Sequence, residues 1–138
     1  MKKLLFVSIL LLLIPLTGCK SVVKDTVVEK QKERVLYGRL GNGEWGWYED
    51  GDEKKDMKYL GEIENGGPNG QGTLISPDGD KYEGELKDGY RNGQGTYAYS
   101  NRISYLGEWK DGKSWNGTSY DKNGIIILKV VNGEFVVN

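Results

Sequence analysis

The sequence predicts an all-β fold, an elongated single-layer antiparallel sheet of tandem β-hairpins, and three observations carry that prediction. First, the stretch YEGELKDGYRNGQGTYAYSNRIS from Tyr82 is written nearly three times, with copies beginning at Tyr59 and Tyr105. A register of 23 residues aligns Tyr59, Tyr82 and Tyr105, then Gly61, Gly84 and Gly107, then Glu62, Glu85 and Glu108. A fixed period of this size marks stacked supersecondary units. Second, residue type alternates: in YEGEL, Tyr82, Gly84 and Leu86 share one side of a strand and the two glutamates the other. Third, Asp-Gly and Asn-Gly pairs punctuate every copy, supplying the positive φ that reverses a chain at low cost. One such hairpin is marginal in water, so the units must pair edge to edge. The register then stacks Tyr59, Tyr82 and Tyr105 in one column and Ile63, Leu86 and Trp109 in another. KDGYRNG is read as the turn and QGTYAYS as the return strand.

The motif Tyr-x-Gly-Glu-(Leu/Trp)-x-(Asp/Asn)-Gly followed by Asn-Gly-Gln-Gly-Thr resembles the MORN repeat. It is clearest at Tyr59–Thr73 and Tyr82–Thr96. The third unit departs from it, being one residue shorter between Gly112 and Gly117 and lacking the second glycine of the NGQG pair. The resemblance spans roughly Leu36 to Gly133 and implies a scaffold for protein–protein or membrane contact.

At 138 residues the chain has room for one domain. Residues 1–18 open with two lysines and the apolar run LLFVSILLLLIPL, which reads as a helical secretory signal. The run is too short to span a hydrocarbon core that needs about 20 residues. Leu16-Thr17-Gly18-Cys19 resembles the lipobox of bacterial lipoproteins, which implies cleavage before Cys19 and acylation of that cysteine. Two or three acyl chains anchor stably where one is marginal. The expected location is the cell envelope: the outer membrane of a Gram-negative host, otherwise the outer leaflet of the cell membrane. Lys20, not Asp, follows the cysteine, which by analogy with enterobacterial lipoproteins permits outer-membrane sorting.

Residues 19–34 comprise the lipidated cysteine and a charged tether without glycine or aromatics. The repeat domain is expected over 35–138, with a degenerate first unit at 36–58 and further units at 59–81, 82–104 and 105–127. In the first unit Asn42-Gly43 is the turn and Trp45 to Glu49 the return strand; the charged connection DGDEKKDMK is expected to be a mobile loop. A C-terminal cap at 125–138 contains IIILKVVNGEFVV, the most apolar run after the leader. It reads as one or two strands whose apolar face folds over the end of the sheet as a plug, with an exposed pairing edge as the alternative.

Catalysis needs an activated nucleophile, an acid–base pair or a metal on a rigid frame. The chain has no histidine, and its single cysteine is the predicted lipid site. Asn69-Gly70-Gln71-Gly72 lacks the Lys-Ser/Thr of a phosphate loop and is read as a turn. Glu62, Glu85 and Glu108 recur two strands apart, about 9–10 Å, too far to share one Ca²⁺, and are read as a solubilising row. No catalytic residue, metal site or cofactor is predicted.

Removing Lys2 and Lys3 leaves 17 basic residues against 20 acidic ones, a net charge of −3, which disfavours anionic lipid and nucleic acid as partners of the sheet. Protein recognition is favoured instead, through aromatic columns on one face: Tyr59, Tyr82, Tyr105 and Trp109, with Trp115, Trp45 and Trp47 as further candidates. Those same rings also suit the core of a single-layer sheet. EWGWYEDG, from Glu44 to Gly51, resembles the aromatic core of cell-wall-binding repeats and implies glycan or choline recognition as the alternative. The variant repeats near the C-terminus leave an antitoxin- or immunity-like inhibitor as a further one.

Overall fold

The computed structural model describes residues 34–136; the predicted leader, Cys19 and most of the tether lie outside them. All the described elements are strands: β1 (Arg34–Gly41), β2 (Glu44–Tyr48), β3 (Met57–Glu64), β4 (Gly67–Ile75), β5 (Lys81–Lys87), β6 (Tyr90–Ala98), β7 (Ser104–Lys110), β8 (Lys113–Tyr120), β9 (Ile126–Val131) and β10 (Glu134–Val136). They form one antiparallel sheet in the order β10-β9-β8-β7-β6-β5-β4-β3-β1-β2. The fold class is the predicted one.

Each hairpin closes on two residues, both with positive φ: Asn42-Gly43, Asn65-Gly66, Asp88-Gly89, Asp111-Gly112 and Asn132-Gly133. This is the tight turn whose twist suits antiparallel strands. The second Asn-Gly of each copy does something else. Asn69-Gly70 and Asn92-Gly93 lie inside β4 and β6, so the expected turn reading of NGQG is corrected. The return strands start at Gly67 and Tyr90, and the glycines occupy bulges where the ladder shifts register after Gly61 and Gly84. A bulge admits extra residues on one strand and leaves backbone groups unpaired.

One of the repeated glutamates meets that need directly, and another holds a side chain beside its bulge. Glu85 Oε1 accepts the Gln94 N–H at 3.1 Å, and Glu108 Oε2 accepts from Asn116 Nδ2 at 2.9 Å. A Cβ on Gly70 or Gly93 would run into the carboxylate of Glu62 or Glu85. The row expected only to solubilise the surface therefore also fastens the bulges.

The Tyr-x-Gly-Glu motif has one physical reason. Gly61, Gly72, Gly84, Gly95, Gly107 and Gly117 are cross-strand neighbours across six strands. Over this bare rung lie the rings of Tyr59, Tyr82 and Tyr105, and a Cβ on Gly72 or Gly95 would fall within a ring. The hydroxyls of Tyr59, Tyr82 and Tyr105 donate to the carbonyls of Glu62, Glu85 and Glu108, at 2.6, 2.7 and 3.1 Å. Each phenol is buried with its hydroxyl satisfied, as burial demands. Burial pushes the Tyr59 and Tyr82 phenols up to about 12 and raises Tyr105 in the same direction. With Leu36, Leu74, Leu86, Trp109 and Val130 these tyrosines make the core, all on one face of the sheet. Trp109 anchors it, edge-on to Tyr82 and Tyr105 at 5.4 and 5.1 Å between ring centroids.

Two expectations about the ends are corrected. The first hairpin does not follow the array order: β1, not β2, pairs with β3, and β2 becomes the outer edge. The connection between them therefore crosses β1. It is stitched in place: Lys55 and Asp56 N–H groups donate to the Asp52 carbonyl, Arg39 pairs with Asp50 and Asp56, and Gly51 sits against the Tyr37 ring, where a Cβ would not fit. At the other end β9 and β10 do not fold over the sheet as a plug. They continue it in plane, and Phe135 remains 69% exposed.

Candidate functional site

The core face carries a cleft of about 240 Å³ lined by Trp45 and Trp47 from β2, Met57 from β3, Leu74 from β4, Tyr82 from β5, and Tyr90, Arg91 and Tyr97 from β6. Its existence follows from curvature. Four strand steps separate β2 from β5, about 19 Å in a flat sheet. Yet Trp47 Nε1 lies 2.9 Å from where a Cβ of Gly89 would be, in the turn after β5. One indole cannot cover that span, so the sheet rolls and brings β2 over its own inner face. Gly38 on β1 lets this happen: the Trp45 and Trp47 rings lean into the space its missing side chain leaves. The two indoles meet edge to face at 6.2 Å, and Trp47 meets the Tyr59 ring at 6.0 Å.

The seven aromatic residues singled out in the sequence divide among three places. Tyr59, Tyr82, Tyr105 and Trp109 are core side chains, exposed by 5% or less, and only Tyr82 reaches the cleft, as part of its floor. Trp45 and Trp47 form its rim, and Trp45 is 55% exposed. Trp115 belongs to neither group: its ring lies under the Lys110 ammonium at 4.5 Å and beside the Gly133 turn. The cleft lining thus includes neither Trp109 nor Trp115. Sequence reasoning missed Met57, Tyr90, Arg91 and Tyr97. One signal for Arg91 was present, because it stands 23 residues after Pro68, so the array tolerates a buried proline where this copy has a cation.

Two charged side chains line the cleft. The Arg91 guanidinium lies 4.4 Å from the Trp109 ring and 5.0 Å from that of Tyr97, donating to the Gly112 carbonyl at 2.9 Å. Asp80 accepts from Ser100 N–H at 2.9 Å and from the Tyr97 hydroxyl at 2.8 Å. Those bonds, the backbone one first, hold its carboxyl below the usual range, while burial and Asp80 push the Tyr97 phenol up to about 12. Among the described residues no group of three or more Cys, Asp or Glu side chains is placed to hold a metal ion.

Geometry first defines a class: an open, single-layer repeat sheet with an aromatic concavity. The MORN repeat model matches residues 59–81, 82–102 and 105–115, so the chain is a MORN-repeat protein with three such copies in β3 to β8. MORN repeats commonly serve protein or membrane interaction and are generally non-catalytic. No curated protein matches the sequence significantly.

Proposed function

We propose that this chain is a non-catalytic recognition module, held at the bacterial envelope by acylated Cys19, whose rolled MORN sheet binds a protein segment in the cleft between β2 and β6. The observation that carries the reading is the half-exposed Trp45, set at the rim of a concavity floored by the buried Tyr82 and Leu74 and faced by Tyr90, which is 63% exposed. Rigid aromatic rings beside a desolvated floor are the usual anchors of protein contacts. The anchor at Cys19 rests on the lipobox resemblance, and the charge balance leaves membrane attachment to the acyl chains.

Crosslinking in the native cell followed by mass spectrometry tests the module reading. A dominant protein partner is expected, recovered at least tenfold less with Trp45→Ala/Trp47→Ala at unchanged circular dichroism. Equal recovery with that variant would remove the cleft from the interaction. Replacement of Cys19 by Ser should release the chain from the membrane fraction.

A further inference from the structure

We infer that the cleft selects a segment in which a carboxylate side chain neighbours a large apolar one, Arg91 receiving the carboxylate and the Trp45–Trp47–Met57 rim the apolar group. This rests on the reading of the cleft as a protein-contact surface and adds the chemistry of what enters it. The starting point is a contrast between two arginines. Arg39 lies over the Tyr48 ring at 4.3 Å and also pairs with Asp50 and Asp56. Arg91 is stacked in the same manner, on Trp109 and Tyr97, yet among the described residues no carboxylate lies within ion-pair distance of it. A guanidinium has five N–H donors, and the one side-chain hydrogen bond found for Arg91 among the described residues goes to the Gly112 carbonyl.

The fold does not require this cation, since the equivalent position in the preceding repeat is Pro68, which is fully buried. A stacked arginine lacking an anion, set in an aromatic cleft, is the arrangement that bidentate carboxylate recognition uses. Asp80 does not supply the counter-charge. Its two oxygens are engaged by Tyr97 and Ser100, and it sits beside the inter-repeat turns, whereas Arg91 sits among the hairpin turns of Gly89 and Gly112. A guanidinium at this end of the cleft disfavours a quaternary ammonium and favours an acid.

Size decides what the apolar part is. At about 240 Å³ the space is smaller than the roughly 300–1,000 Å³ that whole small-molecule ligands occupy. It suits one inserted side chain of a segment that otherwise runs across the sheet surface.

Trp fluorescence of the full-length chain in detergent, titrated with blocked peptides, tests this. Ac-Gly-Glu-Phe-Gly-NH₂ should give a saturable change. Its Gln analogue and its Phe→Ala analogue should bind at least fivefold more weakly. Added 0.5 M NaCl should narrow the Glu–Gln gap, since it shortens the screening length to roughly 4 Å. Arg91→Gln should abolish that gap, and Arg91→Lys should keep part of it. Equal binding of the Glu and Gln peptides, or no saturable binding of any of them, overturns the inference; because this arm leaves the protein unchanged, a variant that fails to fold does not blunt it. The module reading is scored apart, by partner recovery with the Trp45 and Trp47 variant. Glu134-Phe135 of this chain has the same chemistry and is exposed. Self-association by light scattering that Phe135→Ser abolishes would overturn the choice of a foreign partner and make a second copy the occupant.

Discussion

The first hairpin and the third are built from the same parts and end differently. Both have a Tyr-Gly pairing early in the leading strand and a two-residue turn, Asn42-Gly43 or Asp88-Gly89. In β5, Tyr82 lies on the inner face two residues before Gly84, its ring covers the glycine rung, and its hydroxyl fastens Glu85. In β1, Tyr37 immediately precedes Gly38 and so projects from the opposite face, where the crossing connection covers it. The glycine is then free for other rings, and the two β2 tryptophans take the place. One residue of offset thus converts a locked hairpin of the array into a rim that rolls over the face. The connection of Asp50 to Asp56 is long enough to cross β1, whereas the later inter-repeat turns close with the short bonds Ser76 N–H to Asp80 and Tyr99 N–H to Ile103.

Alanine at the matching glycines separates the two most sharply. At Gly84 a Cβ meets the Gln94 carbonyl and the Gly95 Cα, backbone that cannot give way, so Gly84→Ala should cost about 3 kcal/mol or more in urea unfolding. At Gly38 it meets the outer atoms of two indoles, which can swing, so Gly38→Ala should cost about 1–2 kcal/mol and widen the cleft.

Alkaline pH acts on the locked tyrosines together and comes next. Their folded-state pKa lies above the ordinary value of about 10, so their contribution is complete below pH 10. It is lost as pH rises through about 12, the value for Tyr59, Tyr82 and Tyr97. Phenolate absorbance and circular dichroism should therefore show late-titrating tyrosines whose ionisation coincides with loss of the sheet.

Arg39→Ala has the smallest expected effect, about 1 kcal/mol or less, because its ion pairs are exposed on the Asp50 side. Hydrogen exchange should quicken over residues 51–56 while β5 and β6 keep their protection.

Much of this fold was legible because its physics is periodic. Tyr59, Tyr82 and Tyr105 recur in register and are buried in register, and the alternation in YEGEL assigned Leu86 to the core face. What repeats in the sequence without repeating in role was misread. Asn92-Gly93 and Asp88-Gly89 have equal turn chemistry, and nothing local says which one reverses the chain; the partner strand decides, by leaving Glu85 to fasten the bulge. The reversed order of the first hairpin was illegible for a similar reason, since either β1 or β2 offers β3 an edge. The cleft was half legible. EWGWY announced the rim, but Met57, Tyr90 and Arg91 meet it only through curvature, a property of the whole sheet that no short stretch encodes.

The in-plane continuation of β9 and β10 gives the sheet two unlike ends, an open strand border at β10 and a rolled tryptophan rim at β2. From β7 onward each strand pairs only with its neighbours in the sheet, so a further 23-residue copy inserted after β8 would push the Phe135 border outward by two strand widths, about 9–10 Å, and leave the tryptophan rim untouched. Length can therefore be added at the far border without rebuilding the rim.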